Sequence, residues 1–435
     1  MEYWAQFIFL YPVLMSIIWM VGAIYFYWRY ERTSPKEPPL KEFPLVSVMI
    51  PAHNEEKSIE ETINELLKCD YPDFEIIVIS DGSTDRTNEI ILRLTEIHPK
   101  VRSLILKKNL GKANALNMGL LMTAGEYIVT IDADCLLEPK ALHWLVFHLI
   151  TQPRVGAVTG NPRVRNRTSL LAKIQTAEYA SVIGLIKRSQ RLLGKILTVS
   201  GVIAAFRKRA IIDAGLWSPD MITDDIDLTW KLEQRFWSVY YELNAVGWIL
   251  VPETLGGLWR QRVRWAQGGI EVIHRYWNIC LDWRMRRMWP LYIDYILSVF
   301  WACSFLLFSF LWLSELIFPI PYDFFKLSPI PSWTGTIVAL VCLVQFGVSL
   351  LLDRKYDPTI LKYYFWVIWY PVIYWVYNAL AVIWALPKAL FKKKGTRAVW
   401  VSPDRGMHTS RKHIGDRYYE HYQQTRIKVL ASKNN

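Results

Sequence analysis

The side chains best suited to chemistry in this sequence are carboxylates. Asp132 and Asp134 stand two apart, just after the short apolar run Tyr127 to Ile131. That run is β-branched and aromatic, as a buried strand is. In an open α/β sheet, ligands bind outside the carboxyl ends of the strands. Two carboxylates there can hold a hard divalent cation, Mg²⁺ or Mn²⁺, which takes oxygen ligands and shares them with substrate phosphates. The ordinary alternative for Asp-x-Asp is a strand-end turn that caps the next helix.

Other groups extend the pattern. Asp81 ends the run Glu75 to Ile79-Ser80 and opens Asp-Gly-Ser-Thr-Asp. Its carboxylate can accept from an N–H donor such as a nucleobase imide, and an Asp-Gly turn is its plain alternative. Lys112 follows Gly111 at a helix start, where it can face a phosphate or simply be solvated. Thr223-Asp224-Asp225-Ile226-Asp227 sets three acids in four positions before a helix expected from Leu228. Thr and Asp suit a helix start, but a cap needs only one or two of them. Crowded carboxylates raise one another's proton affinity, which suits a general base. In Gln261-Arg262-Val263-Arg264-Trp265, Arg264 can offer a fixed cationic fork to a diphosphate. Trp265 can offer a flat face to a sugar ring. A juxtamembrane basic and aromatic belt is the other reading of that segment.

These residues need a frame. Runs at Leu45–Ile50, Glu75–Ile79, Val101–Leu106 and Tyr127–Ile131 alternate with helical patterns such as Ile59, Ile63, Leu66 and Leu67. Repeated β-α alternation predicts an α/β fold, a mostly parallel Rossmann-like sheet with helices on both faces. Residues 155–270 read as mixed α/β. No Gly-x-Gly-x-x-Gly follows the first strand and no Walker A motif occurs, so dinucleotide dehydrogenase and P-loop chemistry are not supported.

The frame is set between apolar segments. Phe7 to Trp28 is long enough to span a bilayer. Only Glu2 is charged before it, while Arg29, Arg32, Lys36 and Lys41 follow, which puts the N-terminus outside and residue 29 onward in the cytoplasm. Further apolar runs cover Met288 to about Pro319, Trp333 to Leu352 and Tyr364 to Leu386. Four crossings conflict with the basic residues Lys388, Lys392, Lys393, Lys394 and Arg397 after the last run, so the fourth is interfacial or re-entrant, or the charge rule fails there. The expected domains are 1–30, an N-terminal transmembrane segment; 31–287, a cytoplasmic catalytic domain; 288–387, a membrane domain with two to three transmembrane helices; and 388–435, a basic tail.

Composition agrees. The 435 residues are 52% hydrophobic with a formal net charge of +12. The basic residues flank apolar runs rather than forming one patch, which points to membrane lipids as partners and not to nucleic acid. The five cysteines include no Cys-x-x-Cys pair, so neither a disulfide framework nor a zinc site is expected.

The series Asp81, Asp132-Ala133-Asp134, Thr223-Asp224-Asp225 and Gln261-x-x-Arg264-Trp265 resembles the signature of the processive family 2 glycosyltransferases, which include cellulose, chitin and hyaluronan synthases. The resemblance covers about residues 1–408 and implies a GT-A type domain set between transmembrane helices. Three longer strings, Val155 to Arg163, Ser200 to Arg207 and Trp400 to Gly406, resemble the bacterial poly-β-1,6-N-acetyl-D-glucosamine synthases, which make biofilm polysaccharide. Two positions depart: Asp224 stands where Glu is common, and His53 where Tyr or Phe is usual.

The resemblance implies inverting transfer from UDP-N-acetylglucosamine to a growing polysaccharide. It makes Asp225 the base, Asp81 a uracil ligand with Asp132 nearby on the nucleotide, and Asp134 the ligand of Mg²⁺ or Mn²⁺. Gln261, Arg264 and Trp265 become a clamp on the diphosphate and the polymer end, with Lys112, Thr223 and Asp224 lining the site. It further implies a multi-pass protein of the bacterial inner membrane, with a small membrane subunit and cyclic di-GMP as candidate partners. The alternatives are a synthase of hyaluronan, chitin or cellulose, and a non-processive transferase acting on a lipid.

Overall fold

Val46–Ala52 (β1) is buried along its whole length, as a strand covered on both faces is. In the computed structural model, which describes residues 2–35, 37–317, 333–393 and 395–398, β1 pairs in parallel with Phe74–Asp81 (β2) and with Tyr127–Ile131 (β4). Val101–Leu106 (β3) extends this half beyond β2, again in parallel. An N-terminal helix, α1 (Glu2–Phe26), precedes it, and α2 (Ile59–Leu66), α3 (Thr87–Ile97) and α4 (Lys112–Met122) make its crossovers. This half follows the expected β-α alternation.

Past β4 the sheet is mixed, so it is less parallel than the alternation suggested. Leu136–Leu137 (β5), Val155–Val164 (β6), Ile203–Arg207 (β7) and Ser238–Ile249 (β8) complete the order β3-β2-β1-β4-β7-β6-β8-β5. β7 runs antiparallel to both β4 and β6. The register pairs Ile131 with Ile203, so the turn that opens β7 lies beside the carboxyl end of β4. Helices α5 (Ala141–Thr151), α6 (Leu170–Glu178), α7 (Ile186–Leu193), α8 (Lys208–Asp213), α9 (Asp224–Gln234) and α10 (Leu255–Arg275) belong to this half.

Among the described residues, three helices are long and apolar enough to cross a membrane: Tyr3–Glu31, Trp289–Ser314 and Gly335–Asp353. The latter two lie in α11 (Trp289–Ile317) and α12 (Trp333–Asp353). The fourth apolar run is irregular. A 3₁₀ stretch, Ile360–Trp369, and a π turn, Tyr370–Tyr374, lead into α13 (Trp375–Leu390), with Pro371 at the break. Both ends of this run meet the α/β domain. Before it, Arg167 pairs with Asp357 at 2.5 Å. After it, Lys392 pairs with Glu271 at 2.8 Å, and the Ala398 N–H donates to the Pro219 carbonyl at 2.9 Å. Between them α13 packs along α10, with Val263 and Ile270 against Ala381, Ala385 and Ala389. The chain therefore leaves and rejoins the domain on one side. The rest of the basic tail, and the string Trp400 to Gly406, lie outside the described residues.

A buried ionic joint ties the apolar helices to the domain. Arg188 of α7 holds Glu31, beyond α1, at 2.6 Å and Asp353, at the end of α12, at 2.7 Å. Arg163 of β6 reaches the other Asp353 oxygen at 2.5 Å.

Candidate active site

The carboxyl end of β4 is built as a turn. The Cys135 N–H donates to the Asp132 carbonyl at 3.0 Å, and Thr62 Oγ1 donates to the Ala133 carbonyl at 2.8 Å, which fastens the turn to α2. Asp132 is part-buried and accepts from Lys112 Nζ at 2.5 Å. Asp134 is buried. Lys112 thus faces a carboxylate here.

The turn before β7 clasps this acid pair to the next one. The Val202 carbonyl accepts from the Asp132 N–H at 3.3 Å. The Gly201 carbonyl accepts from Lys112 Nζ at 3.1 Å, and the Gly201 N–H donates to Asp225 Oδ2 at 3.2 Å. A Cβ on Gly201 would stand 3.0 Å from that oxygen, so any larger residue would press on the carboxylate and make it give by a few tenths of an ångström. Asp225 Oδ1 accepts from the Ile226 N–H at 2.9 Å.

Helix α9 begins at Asp224 rather than at Leu228, and its first turn holds Asp224, Asp225 and Asp227. The unpaired N–H groups and positive dipole end of a helix favour acids there. The three then divide. Asp227 is wholly buried and structural, bound by the Tyr276 hydroxyl at 2.8 Å and by Lys231 at 3.1 Å. Burial pushes Asp224 up to about 6; Lys112 opposes this, while Asp225 and Asp132 add to it. For Lys112, burial favours the neutral amine, yet Asp132, Asp224 and Asp225 together hold the ammonium above the usual lysine range. Three carboxylates around one ammonium leave two negative charges uncompensated.

Asp81 lies at the end of β2, fully buried. Its oxygens accept from the Leu110 N–H at 2.9 Å and the Gly111 N–H at 2.7 Å, and its carbonyl lies 2.7 Å from His53 Nδ1. Burial raises Asp81, and the two N–H donors oppose that. A carboxylate offers about four lone-pair positions, so acceptor capacity remains for a base. Gly111 has φ +94° and lies against the Ala398 carbonyl, so the chain beyond α13 passes over this loop.

The last motif is helical. Gln261, Arg264 and Trp265 lie in α10, which packs on Thr223 through Gly268. Thr223 Oγ1 and Gln261 Oε1 are buried without a hydrogen-bond partner among the described residues; such atoms call for an explanation, and a bound substrate supplies one. Arg264 is exposed. Arg262 pairs with Glu178 at 2.5 Å and stacks 4.7 Å from the Trp265 ring centroid. Burial pushes the Tyr179 hydroxyl up, Glu178 and Asp134 add to this, and Arg262 and Arg264 oppose it.

The structure thus brings Lys112, Asp132, Asp224 and Asp225 into one cluster and packs Thr223 against α10. Asp81 holds the loop that leads into Lys112. Residue-by-residue reading missed Gly201 and the Arg262–Glu178 pair. The string Ser200 to Arg207 was the signal for the first. Among the described residues no group of three His, Cys, Asp or Glu side chains forms a closed metal cage. The oxygen-only set of Asp132 and Asp134, with its excess negative charge, instead fits a hard cation that completes its shell on a diphosphate.

Comparison with known proteins bears on the family and the fold. The family described as "Glycosyltransferase like family 2" matches residues 44–268. Poly-beta-1,6-N-acetyl-D-glucosamine synthase of Staphylococcus aureus strain COL is 42% identical over 405 residues, 92% of this chain and 98% of the relative. The synthase of the same name from Staphylococcus epidermidis is 41% identical over 407 residues, with the same coverage. In fold, the chain is similar to a mannosyltransferase from Pyrobaculum calidifontis solved with GDP-Man and Mn²⁺. The TM-score is 0.60 at 21% identity, over 89% of this chain and 100% of that one. The α/β domain is of the GT-A type, with apolar helices at both ends, and the chain belongs to glycosyltransferase family 2.

Proposed function

We propose that this enzyme polymerises N-acetylglucosamine from UDP-N-acetylglucosamine into poly-β-1,6-N-acetyl-D-glucosamine for a biofilm matrix. It does so by processive, inverting transfer and passes the chain across the bacterial inner membrane. The names of the full-length relatives support the product. The observation that carries the mechanism is the Asp225 carboxylate, held by two backbone N–H donors and joined through Gly201 to the Lys112–Asp132 pair.

Asp81 and its loop receive the uracil, with Asp132 and Lys112 next along the nucleotide. Asp134 would hold Mg²⁺ or Mn²⁺, which supplies Lewis-acid stabilisation of the charge on the departing diphosphate. Arg264 adds a cationic fork, Gln261 and Thr223 turn their spare polar atoms to the substrate, and Trp265 stacks on the terminal sugar. Asp224 shapes the charge around Lys112. Asp225 takes the proton of the acceptor 6-hydroxyl as that oxygen attacks the anomeric carbon from the face opposite the diphosphate. The carbon–oxygen bond to UDP breaks, UDP leaves, and the new linkage is β.

Residues 31–287 form the catalytic domain on the cytoplasmic side. Lipids surround α1, α11 and α12, and a small membrane subunit and cyclic di-GMP are candidate regulators by resemblance alone. Asp225→Asn tests the reading: polymer formation should stop while UDP-sugar binding persists. Ordinary turnover by that variant would sink it.

A further inference from the structure

Lys187 is a buried cation that this mechanism leaves unused. It stands on α7, 5% exposed, with Thr159 Oγ1 accepting from it at 3.2 Å and the Tyr241 ring centroid 5.9 Å away. Among the described residues no carboxylate pairs with it, in contrast to Arg188 beside it. An unpaired buried ammonium is costly. Burial pushes Lys187 down to about 7, and Asp225 is the one charge that pulls it back. An apolar side chain would fill this position at less cost, so the charge calls for a reason.

Its hydrogen bonds lead to the base. Thr159 Oγ1 accepts from Lys187 and also from the Ser200 N–H, at 2.7 Å. Both acceptor positions of the hydroxyl are then filled, which fixes Ser200 between β6 and α7. The next residue, Gly201, donates its N–H to Asp225 and gives its carbonyl to Lys112. Helix α7 itself is set by the membrane-facing elements. Ser189 packs against Gly22 of α1 with no room for a Cβ, and Arg188 is locked between Glu31 and Asp353.

We propose that Lys187 is a positioning residue for the catalytic base: through Thr159 it holds the Ser200–Gly201 turn, and with it the Asp225 carboxylate, in register with the joint of α1, α7 and α12. This rests on the reading of Asp225 as the base. A link of this kind lets the helices that carry the polymer set the geometry of the group that extends it.

The full-length protein in membranes, supplied with labelled UDP-N-acetylglucosamine, tests the link through Lys187→Met and Thr159→Val beside Asp225→Asn. The first two should lower kcat by about tenfold to a hundredfold, the scale of a displaced reacting group. KM for the donor and affinity for UDP should stay within about twofold, since only transition-state geometry is lost. Thr159→Val keeps the side-chain shape and deletes the hydroxyl, so it carries the test if Lys187→Met does not fold. Wild-type kcat in Thr159→Val, or a raised KM at unchanged kcat, overturns the positioning role. The base assignment survives that result so long as Asp225→Asn is inactive; turnover by Asp225→Asn overturns both.

Discussion

Asp225 depends on a neighbour that has no side chain. Gly201 brings a backbone N–H to its carboxylate, and a Cβ there would stand 3.0 Å from Oδ2 and 3.4 Å from Cγ. Gly201→Ala should therefore cost turnover several-fold while UDP affinity holds, as kinetics and calorimetry on the same preparation would show. Equal turnover would mean that the turn does not aim the base. The acids around Lys112 predict a pH effect of definite sign. Burial pushes Asp224 up to about 6, so acidification should add a proton there and remove one of the two uncompensated negative charges. The half-saturating Mg²⁺ concentration should rise as pH falls from about 7.5 to about 5.5, and Asp224→Asn should flatten that dependence. The acids were legible in the sequence because a carboxylate pair at a strand end carries its chemistry in residue type and spacing. Gly201, Thr159 and Lys187 were not. Gly201 meets Asp225 from 24 positions away and Thr159 meets Ser200 from 41, and the string Ser200 to Arg207 marks the segment without saying which residues it meets.

At the level of elements, the antiparallel placement of β7 does most to build the site. It delivers the Ser200–Val202 turn to the end of β4, which a parallel strand would not do. The β-α alternation of residues 45–131 made the parallel half readable. The mixed half hides its order because β6, β7 and β8 pair across long intervals. The start of α9 falls four residues before the expected Leu228: the three acids stand inside the first turn, where the helix N-terminus stabilises them, and not ahead of it. The buried joint is the second element-scale feature. Glu31, Arg163, Arg188 and Asp353 are each nearly inaccessible. Removing one partner of such a network leaves buried charge unbalanced, at a cost of about 3–5 kcal/mol. Arg188→Met should thus lower the melting temperature of the detergent-solubilised protein by several degrees. An unchanged melting temperature would show that the joint does not hold the domain to its helices.

Over the whole molecule, three helices among the described residues are long and apolar enough to cross a membrane, with the α/β domain after the first and an irregular apolar run after the third. That run begins and ends on the domain, through Arg167–Asp357 and Ala398–Pro219. Residues beyond α13 should lie on the catalytic side. A Thr396→Cys variant should react with a membrane-impermeant thiol reagent only after the cells are opened; labelling of intact cells would require another crossing. The apolar runs were plain in composition, but their count was not, because an interfacial helix and a short span share the same hydropathy. The identity of the product decides the proposed function. Membranes carrying the protein, given labelled UDP-N-acetylglucosamine and Mg²⁺, should make high-mass material that a β-1,6-specific hexosaminidase degrades and chitinase does not. Label confined to short or lipid-linked products, or a polymer that chitinase digests, would contradict it.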